Sequence, residues 1–263
     1  MGLSGAHGVT MKIAVCIKQV ITREWPLRVN ETGVWVRDGD ASFEMNEPDA
    51  YALEEALRLK EQHGGEVVVC SAGPARVSQV IREGLARGAD RAIHVHSDQL
   101  AVADANTTSA ALANALESES FELVLTGLQS DDQGFGQTGV LLAERLGISH
   151  ATIIMEITLS DGQLRVKREL EGGWFQWVSM PMPALLTIQS GINQLRYATL
   201  KGIMAAKKKE IRTVTPDVKV GDEHRLVELY APERGKQTQF IDGSPEMAAQ
   251  ELVRSLREDA RVF

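Results

Sequence analysis

Phe121–Gly139, FELVLTGLQSDDQGFGQTG, is the stretch whose reading decides the fold. Phe121–Thr126 is an apolar, β-prone run. A polar, glycine-rich loop follows. Val140, Leu141, Leu142 and Leu146 then recur at helical spacing, from a start near Gln137. Strand, glycine-rich loop and helix in that order can hold a phosphate. Glycines let backbone N–H groups approach an anion, and the helix start adds unpaired donors and the positive end of a dipole. The plain alternative is a simple strand-to-helix connection, common in α/β folds. Gly134–Gly139 also matches G-x-G-x-x-G, but a dinucleotide fingerprint needs that motif directly after the first strand as a tight turn. Here Gly127–Gln133 intervene and the strand is the fourth, so a nicotinamide dehydrogenase is disfavoured, although Glu156 supplies an acid on the next strand.

Upstream, Lys12–Lys18, Glu66–Ser71 and Arg91–His96 read as buried strands. Helices separate them, carrying Leu53, Ala56 and Leu57, then Val77, Val80, Ile81 and Leu85, then Ala103–Leu116. Asn46-Glu47-Pro48 is a helix start with Asn46 as the cap, and Gly64-Gly65 a stop. Ala151–Leu159 is a fifth strand. The spacing therefore predicts an α/β, Rossmann-like parallel sheet with helices on both faces, with any ligand at the carboxyl ends of the strands. Those ends are Cys16–Lys18, Ala72-Gly73 and Gly127–Thr138.

Gln19–Phe43 reads as irregular, with a hairpin around Gly33 and with Trp25 and Trp35 exposed. His94 and His96 share a strand face, read as facing solvent or an edge rather than a metal. β-hairpin additions follow at Gln163–Glu169, Trp174–Met180 and Ala184–Gln189. Thr199 caps a short helix with Lys207, Lys208 and Lys209 in its last turn, where cations suit the dipole. The spacing divides the chain into a 1–10 disordered extension, an 11–211 α/β nucleotide-binding domain, and a 212–263 C-terminal arm. The arm runs aperiodically to residue 243 and ends in a helix opened by Pro245; it is long enough to wrap a partner chain.

The formal net charge of −8 over 263 residues argues against nucleic acid and anionic membranes as partners. No apolar run is long enough to span a membrane. Cys16 and Cys70, each inside a strand, read as buried reduced thiols, which fits a cytoplasmic protein. Residues 1–10 lack the pattern of a signal peptide, and Met11 is an alternative start.

Arg196-Tyr197-Ala198-Thr199-Leu200, Ile203-Met204 and Ala206-Lys207-Lys208-Lys209 form a specific segment. With it go Lys18, Asn46, Pro48, Ala56, Leu59-Lys60, Gly73-Pro74, Gly88-Ala89-Asp90-Arg91 and Gly127…Asp132…Gln137-Thr138-Gly139. On these residues the chain resembles the β subunit of electron transfer flavoprotein over 11–263. The resemblance implies an electron-carrier subunit with no catalytic residues of its own. An α subunit would complete a heterodimer and hold most of the FAD site. Electrons would come from dehydrogenases such as acyl-CoA dehydrogenases, in fatty acid oxidation, and pass to a quinone reductase. It also implies AMP at the strand ends, contacted by Cys16, Asn46, Glu47, Pro48, Asp49, Ala72, Gly127, Gln129, Ser130, Asp131, Asp132, Gln133, Gly134, Phe135, Gly136, Gln137 and Thr138. A recognition loop, 192–209, would dock the dehydrogenase through Tyr197, Leu200, Ile203 and Met204, with Leu200 as anchor. Arg23 or Trp25 would replace an aromatic that relatives place near the flavin ring.

Two alternatives stay open. An electron-bifurcating form would hold a second FAD in place of AMP. A stand-alone adenine-nucleotide module would explain the sheet and loop, but neither the lysine-rich helix nor the arm. An ATP-using synthetase needs a Ser-Gly-Gly-x-Asp type loop after the first strand, where this chain has Lys18-Gln19-Val20-Ile21-Thr22.

Overall fold

Uninterrupted apolar residues make β1 (Lys12–Cys16) a strand covered on both faces, and it stands at the centre of the parallel sheet. The computed structural model describes residues 11–160, 162–218, 224, 226–232 and 238–262. The expected extension at 1–10 lies outside them.

After β1 come β2 (Gln19–Ile21) and β3 (Phe43–Met45), which pair antiparallel as a separate two-stranded sheet. The alternation then runs through α1 (Glu47–His63), β4 (Glu66–Gly73), α2 (Ser78–Arg87), β5 (Arg91–His96), α3 (Ala105–Leu116), β6 (Leu123–Gly127), α4 (Thr138–Leu146) and β7 (Ser149–Ser160). β8 (Gln163–Glu169), β9 (Phe175–Met180), β10 (Ala184–Ile188), α5 (Leu200–Ala206), β11 (Ile211–Val214) and α6 (Pro245–Glu258) complete the order. The main sheet runs β11-β5-β4-β1-β6-β10-β7-β8-β9. β7, β8 and β9 are antiparallel neighbours, and the other pairings are parallel. The α/β class and the parallel sheet agree with the periodicity.

Helices cover both faces. Leu53 and Leu57 of α1 and Ile81 and Leu85 of α2 pack on Ile13, Val15, Val67 and Val69. Leu112 and Leu116 of α3 and Leu142 of α4 pack on Ala14, Val68, Val124 and Leu185. Side chains that alternate along one strand thus feed two cores.

Several expectations need correction. β10 is no hairpin strand: all five of its residues are buried, and it inserts parallel between β6 and β7. β7 leaves β10 for β8 through a bulge at Ile153, whose φ of 59° is strained for a β-branched residue and whose N–H donates to Thr187 Oγ1 at 3.2 Å. Residues 212–214, assigned to the arm, instead complete β11 on the sheet together with Ile211 of the expected domain. Arg212 pairs with Glu119 at 3.0 Å, and Glu119 is also held by Arg91 and Lys12. Arg91 first and then Lys12 hold the Glu119 carboxyl down to about 2, against its partial burial. β11 covers β5, so His94 is not at an edge, and its side chain is buried. Its ring does share a face with His96, with centroids 5.2 Å apart. Trp25 and Trp35 are half-buried, not exposed.

The described chain divides into two units, one of residues 11–28 and 36–226, the other of 29–35 and 227–262. In the second, the expected turn at Gly33 is closed by Asn30 N–H to Trp35 O at 2.7 Å, and Leu229 N–H donates to Gly33 O at 2.7 Å. Its helix α6 is capped by Ser244, but none of its residues is buried, so Met247, Leu252 and Val253 lie exposed. Parts of the expected arm, at 219–223, 225 and 233–237, lie outside the described residues. No helix among the described residues is long and apolar enough to cross a membrane.

Candidate functional site

The carboxyl ends of β1, β4 and β6 open into one cleft, walled by the glycine-rich loop, α4 and the start of α3. Three adjacent parallel strands end together there, so the intervening loops must diverge and leave a crevice. Cys16, Asn46, Asp49, Ala72 and Gly127 line it from the strand ends and α1. Gln129, Ser130, Gln133, Phe135, Gly136, Gln137 and Thr138 line it from the loop. Of the remaining residues expected at this site, Glu47, Pro48, Asp131, Asp132 and Gly134 are not among the lining residues. Asp131 and Asp132 instead brace the loop.

Asn46 corrects the sequence reading. It stands at the N-cap position of α1, yet its side chain makes no cap bond. Its Nδ2 donates to Gln129 O at 3.0 Å, and its Oδ1 accepts from Asp131 N–H at 2.9 Å. The amide therefore shapes the loop from 83 residues away in sequence. Arg23 does the same from outside, pairing with Glu47 and with Asp131 at 3.2 Å.

Asp49 joins three elements. Its Oδ2 accepts from Lys18 N–H at 2.7 Å and its Oδ1 from Gly127 N–H at 2.8 Å, so one carboxylate ties the ends of β1 and β6 to α1. Burial pushes its pKa up to about 7, against the two amide donors that favour the ionised form. A raised acid contributes stability that is present below its unfolded value near 4 and is lost as pH rises through 7. Unfolding free energy of the wild type is thus expected to fall between pH 5 and 8 by about 2–3 kcal/mol more than that of Asp49→Asn, at 1.36 kcal/mol per pKa unit. Parallel profiles in denaturant titrations would show that the amide donors outweigh burial.

Sequence reasoning missed part of the lining. Leu100, Ala101, Ala103, Ala105, Thr108 and Leu112 add a largely apolar wall, suited to a flat ring. No local pattern marks these residues, because the walls belong to different elements. Lys18, expected at the end of the first strand, also lines the cleft and reaches the loop.

A second exposed feature lies along 192–204. Arg196 donates to both oxygens of the buried Glu54, at 2.7 and 3.0 Å, and to Glu61 Oε1 at 2.6 Å. Asn193 donates to Tyr51 O at 3.1 Å and to Glu55 Oε2 at 2.9 Å. These bonds fasten the segment to α1. Thr199 then caps α5, its Oγ1 accepting from Gly202 N–H at 3.1 Å, as expected. Gly202 presses against α2: a Cβ there would stand 2.3 Å from Ala86 O. Only Ala206 of α5 is buried. Tyr197, Leu200 and Met204 are 90%, 82% and 71% exposed, and Ile203 is exposed too. Gly202, Ala206 and Arg82, which donates to Ala206 O, anchor α5 and leave Ile203 and Met204 exposed. The lysines are also displaced from the expected place, because α5 ends at Ala206. Lys209 donates to Leu85 O at 3.0 Å and to Ala89 O, so its ammonium serves the end of α2.

Residues 34–219 match the family model for the electron transfer flavoprotein domain. The chain is 36% identical to electron transfer flavoprotein subunit beta of Methylophilus methylotrophus, covering 94% of this chain and 98% of that one. Identity to the subunit beta of Bacillus subtilis is 32%, over 96% of this chain and all of the relative. To the Homo sapiens subunit beta it is 35%, over 96% and 99%.

Proposed function

Because this chain belongs to the electron transfer flavoprotein β-subunit family, we propose that it is the β subunit of a heterodimeric electron carrier, with AMP in its strand-end cleft. In this reading the α subunit holds most of the FAD, at the interface, and the flavin carries the electrons. Dehydrogenases of the acyl-CoA type supply them, a quinone reductase removes them, and this chain positions and docks.

The observation that carries the AMP reading is the cleft. An apolar wall at Ala72, Leu100, Ala103 and Leu112 suits an adenine, and the glycine loop and the first turn of α4 line the same cleft. The N–H groups of that turn have no acceptor inside the helix, so they can serve one phosphate. Docking through Leu200 is supported by its exposure at the very start of a short helix whose other side is fixed to α2. For the arm, the exposed apolar side chains of α6 support a partner chain over an internal role.

The test is to co-express the chain with its α subunit, purify the dimer, denature it and analyse the released nucleotides by mass spectrometry. One AMP and one FAD per dimer are expected. Two FAD without AMP would replace this reading by the bifurcating form, and AMP bound by the chain alone, with no α partner and no flavin, by a stand-alone nucleotide module.

A further inference from the structure

Lys18 follows the end of β1 and is the only lysine or arginine among the described residues that line the cleft. Its ammonium has three acceptors, all in the glycine-rich loop. Asp132 Oδ1 lies at 2.7 Å, Gln133 Oε1 at 2.9 Å and Ser130 Oγ at 3.4 Å. The pair with Asp132 is partly open to solvent, with 36% and 24% of the two side chains exposed. Such pairs are weak and exchange partners readily. Asp132 Oδ1 also accepts from Gln133 N–H at 2.6 Å, so the carboxylate keeps a donor if the lysine leaves. The backbone N–H of Lys18 is fixed separately, on Asp49. The side chain is thus free to change its partner while the main chain stays anchored.

We propose that Lys18 is the phosphate-selecting residue of this cleft, held back by Asp132. An incoming phosphate takes the ammonium from the carboxylate, and the gain is the difference between two ion pairs. A nucleoside without a phosphate gains nothing from Lys18. The two residues therefore act in opposite directions on the same quantity, the preference for a nucleoside monophosphate over the nucleoside. The proposal rests on the reading that AMP occupies the cleft.

The experiment is calorimetric titration of the nucleotide-stripped heterodimer with AMP and, separately, with adenosine. Flavin content and thermal midpoint serve as folding controls. Lys18→Met should weaken AMP binding about tenfold, equivalent to about 1.4 kcal/mol, and leave adenosine binding unchanged. Asp132→Asn should strengthen AMP binding several-fold, again with adenosine unchanged. If Lys18→Met weakens both ligands equally, or Asp132→Asn weakens AMP, the lysine only shapes the loop and the proposal falls while the AMP reading stands. If the wild-type dimer binds neither ligand, both fall. Asp132→Asn keeps the test decisive even if Lys18→Met fails to fold.

Discussion

Gly127→Ala should lower the thermal midpoint of this chain by about 10 °C and abolish AMP retention, the largest effect of any single methyl group added at the cleft. Gly127 ends β6 and has no left-handed φ, so the demand for glycine is one of space. A Cβ there would stand 2.4 Å from Asp49 Oδ1, 2.7 Å from Pro48 Cβ and 2.8 Å from Asp49 N. Two of those atoms belong to the first turn of α1, which cannot yield without moving the helix. The third is the carboxylate that bonds the N–H groups of Lys18 and Gly127. Overpacking of about 1–3 kcal/mol then adds to about 1–3 kcal/mol for amides left without an acceptor. At roughly 2–4 °C per kcal/mol for a domain of this size, the shift is about 10 °C. Gly136→Ala is the comparison. Its φ is +62° and the nearest atom to a Cβ is Leu128 O at 3.7 Å, so the cost is backbone strain alone, about 1–2 kcal/mol. Differential scanning of the two variants reads the order directly. A Gly127→Ala midpoint within 2 °C of wild type would mean that α1 and β6 separate easily, and that Asp49 is no staple.

Leu200→Ala in the intact heterodimer should reduce the donor-dependent rate tenfold to a hundredfold at subsaturating dimer. Leu200 is 82% exposed. An alanine there removes nothing from the core, and stability should stay within about 0.5 kcal/mol. A leucine buried in a partner's pocket contributes about 1.5–3 kcal/mol, which converts to that range of association constants. Tyr197 and Met204 are the exposed neighbours, and Arg196 on Glu54 keeps the whole segment presented. The assay pairs the variant with its dehydrogenase and records flavin content, visible spectrum and midpoint alongside the rate. An unchanged rate places docking elsewhere. A fallen midpoint with lost flavin would mean that Leu200 meets the α subunit instead.

The alternation of apolar runs by itself determined the α/β class, the order of the central elements and the cleft's place at the strand ends. Each of those follows from a local period, two for a strand and 3.6 for a helix, and from the rule that parallel strands need crossover helices. The glycine-rich loop and the Thr199 cap were legible for the same reason, since a loop or a cap lies within a few residues. Tertiary structure alone decided the rest. β10 reads like its hairpin neighbours, but full burial draws it between β6 and β7. Residues 212–214 read as the start of an arm, but β5 offers them an open edge and Glu119 a partner for Arg212. Asn46 has the chemistry of a cap, yet Gln129 O and Asp131 N–H stand within its reach and take its amide. Lys18 reaches Asp132, 114 residues on, only because β1 and β6 are neighbours in the sheet. Periodicity fixes which face a side chain takes, whereas its partner across the sheet is set by which strands come to lie side by side.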